Sequence, residues 1–473
     1  MSTKRMGNNA QNPFYDTPEK PPHIHEKTGG VPLRFQQQDF SQILRGTLPE
    51  RALFTKGTGA YGTFTVTNDI TQYTSANIFS SVGKICRIFA RFSDFKSEKG
   101  SADTNRDSRG FALKFYTEDG IWDLVGSNSP VFFIKEPAKF PEFVKTQQRS
   151  PITNLKSATD MWNFCCVHPE TLHQLLMYFS GRGTPKGFRH MHGYGSHTYS
   201  MINAENERVW VKYHIKTQQG IKNLVPTQAA QLKSTHPDFA QEDFINALQN
   251  EDFPKWTLYI QVMTEEQAKE FRWNPFDVTK VWFHDEFPLI EVGEIELKEI
   301  PGDYQLNIEE AAFSPANFVE GLGLSPDPVL QARIATYAEA QQYRLGRHAN
   351  LLEVNRCPFS AEKVKSEKNS QKALHFSKFE NEDSYPESAY SENEDDHFTQ
   401  PGLFYTKALQ DYDRVELVRN IIEAMNKISG PQRAEIINRQ ICHFFRANIE
   451  LGMKIAMGLQ INIDANMMNH AGS

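Results

Sequence analysis

Arg333 and Tyr337, four residues apart, are a pair whose side-chain types and spacing could bind a metal ion. Residues i and i+4 lie on one face of a helix, so the guanidinium can contact the phenol. A nearby cation favours the ionised phenol, which is an anionic ligand suited to ferric iron. The same spacing also arises in ordinary surface or core packing, so the rest of the chain has to decide between the two interpretations.

The segments that would position this pair are mostly strands. Apolar residues alternate with polar ones, or form short apolar runs, in residues 61–67, 88–92, 111–116, 121–125, 197–203, 209–216 and 256–263. Two pairs of these segments are joined by short polar turns, which is typical of hairpins. Many antiparallel hairpins in one block predict a closed or nearly closed barrel, and hence an α+β fold with helical insertions. The insertions are predicted near residues 137–147, 160–180, 227–248 and 265–271.

Composition divides the whole chain into five segments. We predict an N-terminal arm at 1–35, a barrel domain at 36–300, a connection at 301–359, a polar linker at 360–400 and a C-terminal helical domain at 401–473. The connection shows no strand alternation and carries one helix, at about 327–344, which contains the arginine and the tyrosine. Helical spacing of apolar residues predicts two C-terminal helices, near 415–428 and 436–449.

Length and charge limit the classes of function. The chain has 473 residues, with 51 Lys and Arg against 58 Asp and Glu, a net charge of −7 and a pI near 6.1. This balance argues against nucleic acid or an anionic membrane as a partner. No stretch is apolar enough for a secretory signal or a membrane span. We expect an intracellular protein, cytoplasmic or peroxisomal, although the chain ends in Asn-His-Ala-Gly-Ser and not in a recognisable peroxisomal tripeptide.

Ordered motifs along the chain resemble those of monofunctional haem catalases of the small-subunit, NADPH-binding type. They cover roughly residues 30–356 and comprise Pro-Glu-Arg at 49–51, Lys-Gly-Thr-Gly-Ala-Tyr-Gly at 56–62, Arg-Phe-Ser at 91–93, the stretches 100–111 and 189–197, and the helix 331–337 with Arg-Leu-Gly at 344–346. The resemblance implies an antiparallel β-barrel with a long wrapping connection, haem b as cofactor, hydrogen peroxide or another hydroperoxide as substrate, and a homotetramer with exchanged arms.

The resemblance also implies roles for single residues at the haem. Tyr337 would be the axial ligand of the haem iron and Arg333 the cation that keeps it ionised, with Asp327 and His197 supporting that arginine. Residues matching those that pair with the haem propionates, or that lie against the haem face and channel, are Arg51, Arg91, Arg344, Phe132 and Phe140.

Phenylalanine is frequent, at 34 residues against 16 Tyr and 6 Trp. An interior this rich in phenylalanine packs either against itself or around a flat apolar group. We expect Phe92 and Phe133, together with Phe132 and Phe140, to form walls for the porphyrin.

The motifs depart from the family pattern at the two polar residues of the distal face. Phe54 stands where catalases carry a histidine, and Ser127 where they carry an asparagine, whereas Ser93 matches. A positioned acid–base group contributes about 10²- to 10⁴-fold to a reaction that moves a proton, and neither a phenyl ring nor a serine hydroxyl can serve as that base. We therefore expect haem binding to be kept and peroxide disproportionation to be strongly weakened. Phe95 replaces a small aliphatic residue and is expected to narrow the channel.

Three alternatives stay open. Asn128 or an ordered water could replace the missing polar groups and preserve turnover. The chain could instead be an inactive haem- and NADPH-binding pseudoenzyme. It could also rearrange organic hydroperoxides, because homolytic cleavage of the O–O bond does not require a strong base.

A second site is implied on the barrel surface. The residues matching family positions that bind NADPH are His173, Ser180, Arg182, Tyr194, Lys216, Trp282 and His284, with His192 where an asparagine is common. Arg182 and Lys216 can neutralise phosphates, and we expect His192 to add charge at lower pH. Of the other histidines, His23 and His25 are interpreted as solvated and His214 as structural.

Overall fold

An antiparallel β-sheet closed into a barrel is the main element of the part of the chain that the computed structural model describes, residues 48–359 and 396–462. The chain divides into the units Met1–Pro49 and Glu50–Ser473, and only the second is described below. The predicted arm, His23, His25 and the linker up to residue 395 lie outside the described residues. The predicted domain boundaries therefore stay predictions.

Ten strands are found in the described residues, and every pairing between them is antiparallel. They are β1 Gly57–Val66, β2 Ile85–Asp94, β3 Arg109–Thr117, β4 Gly120–Ser127, β5 Gly193–Tyr194, β6 Tyr199–Ile202, β7 Arg208–Thr217, β8 Lys255–Met263, β9 Ile290–Glu299 and β10 Leu322–Gly323.

The barrel closes because β9 pairs with both β1 and β8, while β7 pairs with both β5 and β8. The ring runs β1-β2-β3-β4-β5-β7-β8-β9 and returns to β1; β6 lies along β7, and β10 pairs with β6. This confirms the predicted α+β fold with an antiparallel barrel. The connection, in which the sequence shows no strand alternation, nevertheless contains β10. This strand has two residues and is too short to show any alternation.

Alternating side chains of the strands fill the interior of the barrel. Phe92 is one of them: its ring lies 4.7 Å from that of Phe111, 5.2 Å from Phe244 and 5.6 Å from Trp256, centroid to centroid. Successive residues of a strand point to opposite faces, so the neighbours of Phe92 on β2 point out of the barrel. Phe92 therefore packs in the interior and not with Phe132, contrary to the expectation that it walls a porphyrin.

Helices lie between the strands and after the connection. The α-helices of the described residues with at least five residues are α1 Phe140–Gln147, α2 Ala158–Val167, α3 Leu172–Phe179, α4 Pro226–Thr235, α5 Phe239–Gln249, α6 Glu265–Glu270, α7 Pro328–Leu345, α8 Thr399–Leu403, α9 Asp411–Met425, α10 Arg433–Ala447 and α11 Ile449–Gly458. The C-terminal helices pack on α2 and α3 in one apolar cluster. No helix of the described region has the length and apolar character needed to cross a membrane.

Two segments predicted as single helices are each divided in two, and one helix outside the predictions, α11, follows α10. Pro169 interrupts the segment 160–180 and Pro237 the segment 227–248, because proline cannot continue a helix as a hydrogen-bond donor. Asn448 separates α10 from α11, and its side chain accepts the backbone N–H of Leu451 as an N-cap.

The helix predicted in the connection is α7. Asp327 caps it by accepting the backbone N–H groups of Val329 and Leu330, Pro328 occupies its first turn, and Gly346 follows its end with φ of +78°. These signals at both ends explain why the sequence predicts this helix well.

A buried ion pair of the barrel wall also holds the connection through hydrogen bonds of its carboxylate. Lys114 of β3 donates to Asp123 of β4 at 2.8 Å, and both side chains are almost fully buried. Asp123 also accepts the backbone N–H of Ser314 and the Nδ2 of Asn317. The connection is therefore fixed to the barrel wall shortly before α7 begins.

Candidate functional site

The phenol of Tyr337 accepts a hydrogen bond of 2.9 Å from the Arg333 guanidinium, as the i,i+4 spacing predicts. The same Nη2 of Arg333 donates to the carbonyl of Val125 on β4, at 3.1 Å, which docks α7 against the barrel. Burial disfavours the charged guanidinium, but Tyr337, Tyr199 and Asp327 together outweigh burial and raise the pKa of Arg333. Arg333 is therefore a permanent cation beside this phenol.

A second pair lies behind Arg333. His197 Nδ1 donates to the Asp327 carboxylate at 2.6 Å, and both side chains are buried. Burial lowers the pKa of His197 more than the carboxylate raises it, so the imidazole is neutral at pH 7. Because Asp327 also caps α7, this pair fixes the start of the helix that carries Tyr337.

Phe54 lies in the loop before β1 with φ of +60°, a backbone conformation that bulky residues rarely adopt. Its backbone N–H donates to the carbonyl of Phe95 at 2.9 Å, and its own carbonyl accepts from Arg91 at 3.0 Å. The Phe54 ring meets the Phe95 ring edge to face at 5.0 Å. The strained loop is thus held from two sides, and the aromatic ring is fixed in place.

Two serines face each other across three strands beside this ring. Ser93 of β2 is in register with Gly110 of β3, and Gly110 is in register with Ser127 of β4. Residues in register share one face of a sheet, and a Cβ atom at Gly110 would lie 2.5 Å from Ser93 Oγ and 3.0 Å from Phe54. The structure therefore packs Phe54 and Ser93 against Gly110, whose lack of a side chain leaves room for them, and places Ser127 in register on the next strand.

Both polar atoms of the Asn128 side chain form hydrogen bonds to the backbone. Its Oδ1 accepts the backbone N–H of Arg109 at 2.9 Å and its Nδ2 donates to the carbonyl of Arg182 at 2.9 Å. The side chain is buried and belongs to the opposite face of the chain from Ser127. For Asn128 to replace a distal amide it would have to break both hydrogen bonds, which counts against that alternative.

Aromatic rings continue from Phe54 towards α1. Phe95 contacts Phe132 at 6.4 Å and Phe143 at 6.1 Å, and Phe132 contacts Phe140 at 6.4 Å. Phe54, Phe132 and Phe140 are only partly buried, so each ring leaves part of its surface uncovered, and together they form an aromatic wall. Phe133 packs behind this wall on Phe143 at 4.7 Å. The wall consists of hydrocarbon and offers no group that can exchange a proton.

Three arginines converge at the other end of this region. Arg51 and Arg344 contact Glu309, and the pKa values of Arg91 and Arg344 are lowered to about 9 and about 10, by burial first and then by the neighbouring arginines. Arg91 Nε is buried and has no hydrogen-bond partner among the described residues. Within the described part of the chain, these three cations face one carboxylate, and the net positive charge suits a ligand with more than one carboxylate.

The residues present fit a haem. A flat apolar ring would match the aromatic wall, its two propionates would match the surplus guanidinium groups, and its ferric iron would match the phenol of Tyr337. The buried Nε of Arg91, which lacks a hydrogen-bond partner in the described part of the chain, could donate to such an anionic group.

The second predicted cluster gathers around Tyr194. Arg182 donates to its hydroxyl oxygen at 3.1 Å and Lys216 at 3.3 Å. Burial alone would raise the pKa of Tyr194, but the two cations outweigh burial and lower it to about 8. His192 Nδ1 accepts the backbone N–H of Thr217, and burial and the same cations lower its pKa to about 3. This lowered pKa counts against the expectation that His192 adds charge at lower pH.

The remaining predicted residues connect to this cluster. His284 packs on His214, whose ring lies 5.4 Å from that of Tyr194. Gln261 joins His214 to the carbonyl of Trp282, and Trp282 Nε1 is buried without a partner among the described residues. The other two lie nearby: Ser180 accepts the backbone N–H of Arg182, and His173 contacts the carbonyl of Thr279.

Sequence reasoning missed Glu309, which lies among the three arginines. The chain positions differ by 258 between Glu309 and Arg51, so no local pattern pairs them. The sequence held one signal for Glu309: this acidic residue lies between the last long strand and α7, in a segment interpreted only as a connection.

The chain matches known proteins over nearly its whole length. A family model described as "Catalase" matches residues 33–393, and one described as "Catalase-related immune-responsive" matches residues 391–459. A catalase from the Onchocerca volvulus endobacterium is 49% identical over 442 residues, covering 89% of this chain and 91% of that protein. Catalase A of Pseudomonas putida is 47% identical over 446 residues, covering 89% and 91%. The solved structure of catalase A from Saccharomyces cerevisiae gives a TM-score of 0.84 at 36% identity, covering 95% of this chain and 98% of that one.

Proposed function

Because this chain belongs to the catalase family, we propose that it binds haem b and acts on hydrogen peroxide or organic hydroperoxides, with disproportionation of hydrogen peroxide strongly weakened. The observation that carries the second half of this proposal is the hydrocarbon ring of Phe54 at the distal position, beside Ser93 and Ser127.

Haem binding is supported by three separate groups of residues. Tyr337 with Arg333 would supply the axial ligand, Arg51, Arg91 and Arg344 would hold the propionates, and Phe132 with Phe140 would lie against the ring. When bound, the haem would supply the ferric iron at which a peroxide is activated. Replacing any one group is expected to weaken haem binding without unfolding the barrel, whose interior is a separate apolar cluster.

The distal residues would decide what happens to a bound peroxide. Heterolytic cleavage of the O–O bond needs a proton to move from one peroxide oxygen to the other. A phenyl ring can neither accept nor return that proton, and the Ser127 hydroxyl, which accepts the backbone N–H of Ser129, is too weak a base. The loss of a positioned acid–base group corresponds to about 10²- to 10⁴-fold in rate.

The direct test measures haem binding and turnover on the same preparation. We expect the purified chain, titrated with haem, to develop a shifted Soret band at one haem per chain. Oxygen evolution from hydrogen peroxide is then expected to be slower by several orders of magnitude than that of a catalase carrying a distal histidine, assayed in parallel. Oxygen evolution at the rate of that catalase would contradict the proposal of weakened turnover.

Two further candidate functions are favoured by particular observations. The phosphate-compatible cluster of Arg182 and Lys216, together with the distal ring, favours an inactive pseudoenzyme that binds haem and NADPH. The aromatic wall of Phe54, Phe95 and Phe132 favours an organic hydroperoxide with an apolar substituent, rearranged without a base. Product analysis with hydrogen peroxide and with an apolar organic hydroperoxide separates these candidates: the pseudoenzyme consumes neither.

We also propose that NADPH binds at the cluster around Tyr194 and that the chain forms a homotetramer. Trp282 Nε1, which has no hydrogen-bond partner within the described ranges, and the cations of Arg182 and Lys216 support a polar, anionic ligand there. The homotetramer rests on the family resemblance, and its mass in solution, by light scattering after gel filtration, tests it. The intracellular location stays a prediction.

NADPH affinity is expected to fall above pH 8. Ionisation of Tyr194, with a pKa of about 8, places a phenolate on Arg182 and Lys216, where it competes with the dinucleotide phosphate. At pH 9 about one chain in ten keeps the neutral phenol, so the apparent Kd rises about tenfold relative to pH 7. Fluorescence titration of NADPH from pH 7 to 9.5 measures this.

The matched variants for this test are Tyr194→Phe and Tyr412→Phe. The first removes the competing phenolate, and its NADPH affinity should stay constant up to pH 9. The second changes an exposed tyrosine of α9 and should reproduce the wild-type profile. An identical pH profile in Tyr194→Phe and the wild type would refute the competition.

A further inference from the structure

A carboxylate of the chain already occupies the arginine cluster. Glu309 Oε2 lies 3.0 Å from Arg51 Nη1 and 3.8 Å from Arg344 Nη2, and all three side chains are at most 13% exposed. Charged pairs this far from water interact more strongly than surface pairs. Glu309 is therefore a substantial part of what holds these two guanidinium groups when no other anion is present.

The backbone around Glu309 supports the same arrangement. A π-helical turn, Gln305–Glu309, ends at this residue, and such turns are rare and frequently lie at functional sites. Arg51 Nη2 donates to the carbonyls of Ile308, Glu309 and Ala311 at 2.9 to 3.1 Å, and Arg344 Nη2 donates to the Glu309 carbonyl at 2.6 Å. Among these acceptors, only the Glu309 side chain carries a full charge.

The charges of the cluster match a dicarboxylate. Among the described residues of the cluster, Arg51, Arg91 and Arg344 contribute three positive charges and Glu309 one negative charge, which gives a net charge of two. Tyr304 adds none at neutral pH, because burial, first, and the neighbouring Glu309 raise its pKa to about 12. A porphyrin with two propionates would neutralise the cluster, and its carboxylates would pair with the same arginines that Glu309 contacts.

We propose that Glu309 is a resident competitor of the haem propionates: it stabilises the haem-free chain by pairing with Arg51 and Arg344, and it thereby limits the affinity for haem. The inference rests on the proposed function, since it concerns the same cluster, but it assigns a role to a residue outside the haem-contacting groups named above. Haem uptake would therefore replace the Glu309 carboxylate by the two propionates as partners of these arginines.

The test is a pair of titrations with Glu309→Gln and the matched variant Glu310→Gln. The neighbouring Glu310 carboxylate forms no ion pair with the arginines among the described contacts. We expect Glu309→Gln to bind ferric protoporphyrin IX about tenfold more tightly than the wild type, with a haem-free chain whose thermal midpoint is lowered. Glu310→Gln should match the wild type in both. Soret absorbance measures the affinity, and circular dichroism measures the thermal midpoint.

The dimethyl ester of the same porphyrin tests whether the propionate charges are responsible. The esters are uncharged and form no ion pair with arginine, so Glu309→Gln should give no gain in affinity for this compound. If Glu309→Gln does not fold, Glu309→Asp retracts the carboxylate by one methylene and should still tighten haem binding, by about threefold.

Each failure has its own signature. Unchanged or weaker haem binding in the Glu309 variants would overturn the inference while leaving the proposed function intact, and so would an equal gain with the ester. The absence of any Soret shift in the wild type would contradict the proposed function and the competition together.

Discussion

Replacing Phe54 with histidine is expected to raise the rate of hydrogen peroxide disproportionation by the haem-loaded chain about 10²- to 10⁴-fold. The imidazole would stand beside Ser93, at a position where the structure already places a fixed ring. Histidine also tolerates the φ of +60° at this residue better than phenylalanine does. The substitution therefore supplies an acid–base group without straining the loop. An oxygen electrode measures the rate at a fixed haem content.

The control for this experiment is Phe54→Leu. It removes the ring but adds no base, so it should leave the rate at the wild-type level and separate proton transfer from a change in pocket size. A rate in Phe54→His no higher than in Phe54→Leu, at equal haem content, would show that the distal base is not the limiting defect. The combination of Phe54→His with Ser127→Asn then tests whether the missing amide is the limiting group.

Replacing Tyr337 with phenylalanine is expected to weaken haem binding by at least about 100-fold and to abolish the phenolate-to-iron charge-transfer absorption. Substitutions of groups that only support a ligand commonly cost 10- to 100-fold in metal affinity, and this one removes the proposed ligand itself. Arg333 would also be left as a buried cation without its phenol, although its hydrogen bond to Val125 remains. Visible absorption during a haem titration measures both effects.

Tyr343 provides a matched control on the same helix. It is 77% exposed, so Tyr343→Phe should change neither the affinity nor the spectrum. An unchanged spectrum in Tyr337→Phe would show that the axial ligand is another residue. Circular dichroism of the haem-free variants should be identical, because the Asp327 cap and the packing of Val329 and Leu330 fix α7 independently of the phenol.

The elements with strong local signals could be predicted from the sequence. The hairpin of β3 and β4 follows from alternation around a polar turn, and α7 follows from its aspartate cap and terminal glycine. β9 was missed although Ile290, Val292, Ile295 and Leu297 show a strand-like pattern, because the irregularity at its pairing with β8 shifts the period by one residue. A sequence search for strict alternation does not allow for such a bulge.

The candidate site also contains contacts that local sequence predicts and contacts that it does not. The contact between Arg333 and Tyr337 needs only helical geometry and could be predicted. The alignment of Ser93, Gly110 and Ser127 depends on the register of three strands, and the position of Glu309 depends on contacts 258 residues apart in the chain. The role of Asn128 could not be predicted either, because its two backbone partners belong to different elements.

Closure of the barrel between β1 and β9 has a consequence for how the protein is made. A ribosome has to deliver residues 290–299 before β1 gains its second neighbour, and Glu309 and Arg344 emerge later still. Structures dominated by pairings this distant in the chain form slowly, and their unfinished edges invite aggregation. The arginine cluster and Tyr337 are therefore complete only after every barrel strand has been synthesised, and the order of synthesis places the assembly of the proposed cofactor site after that of the barrel wall.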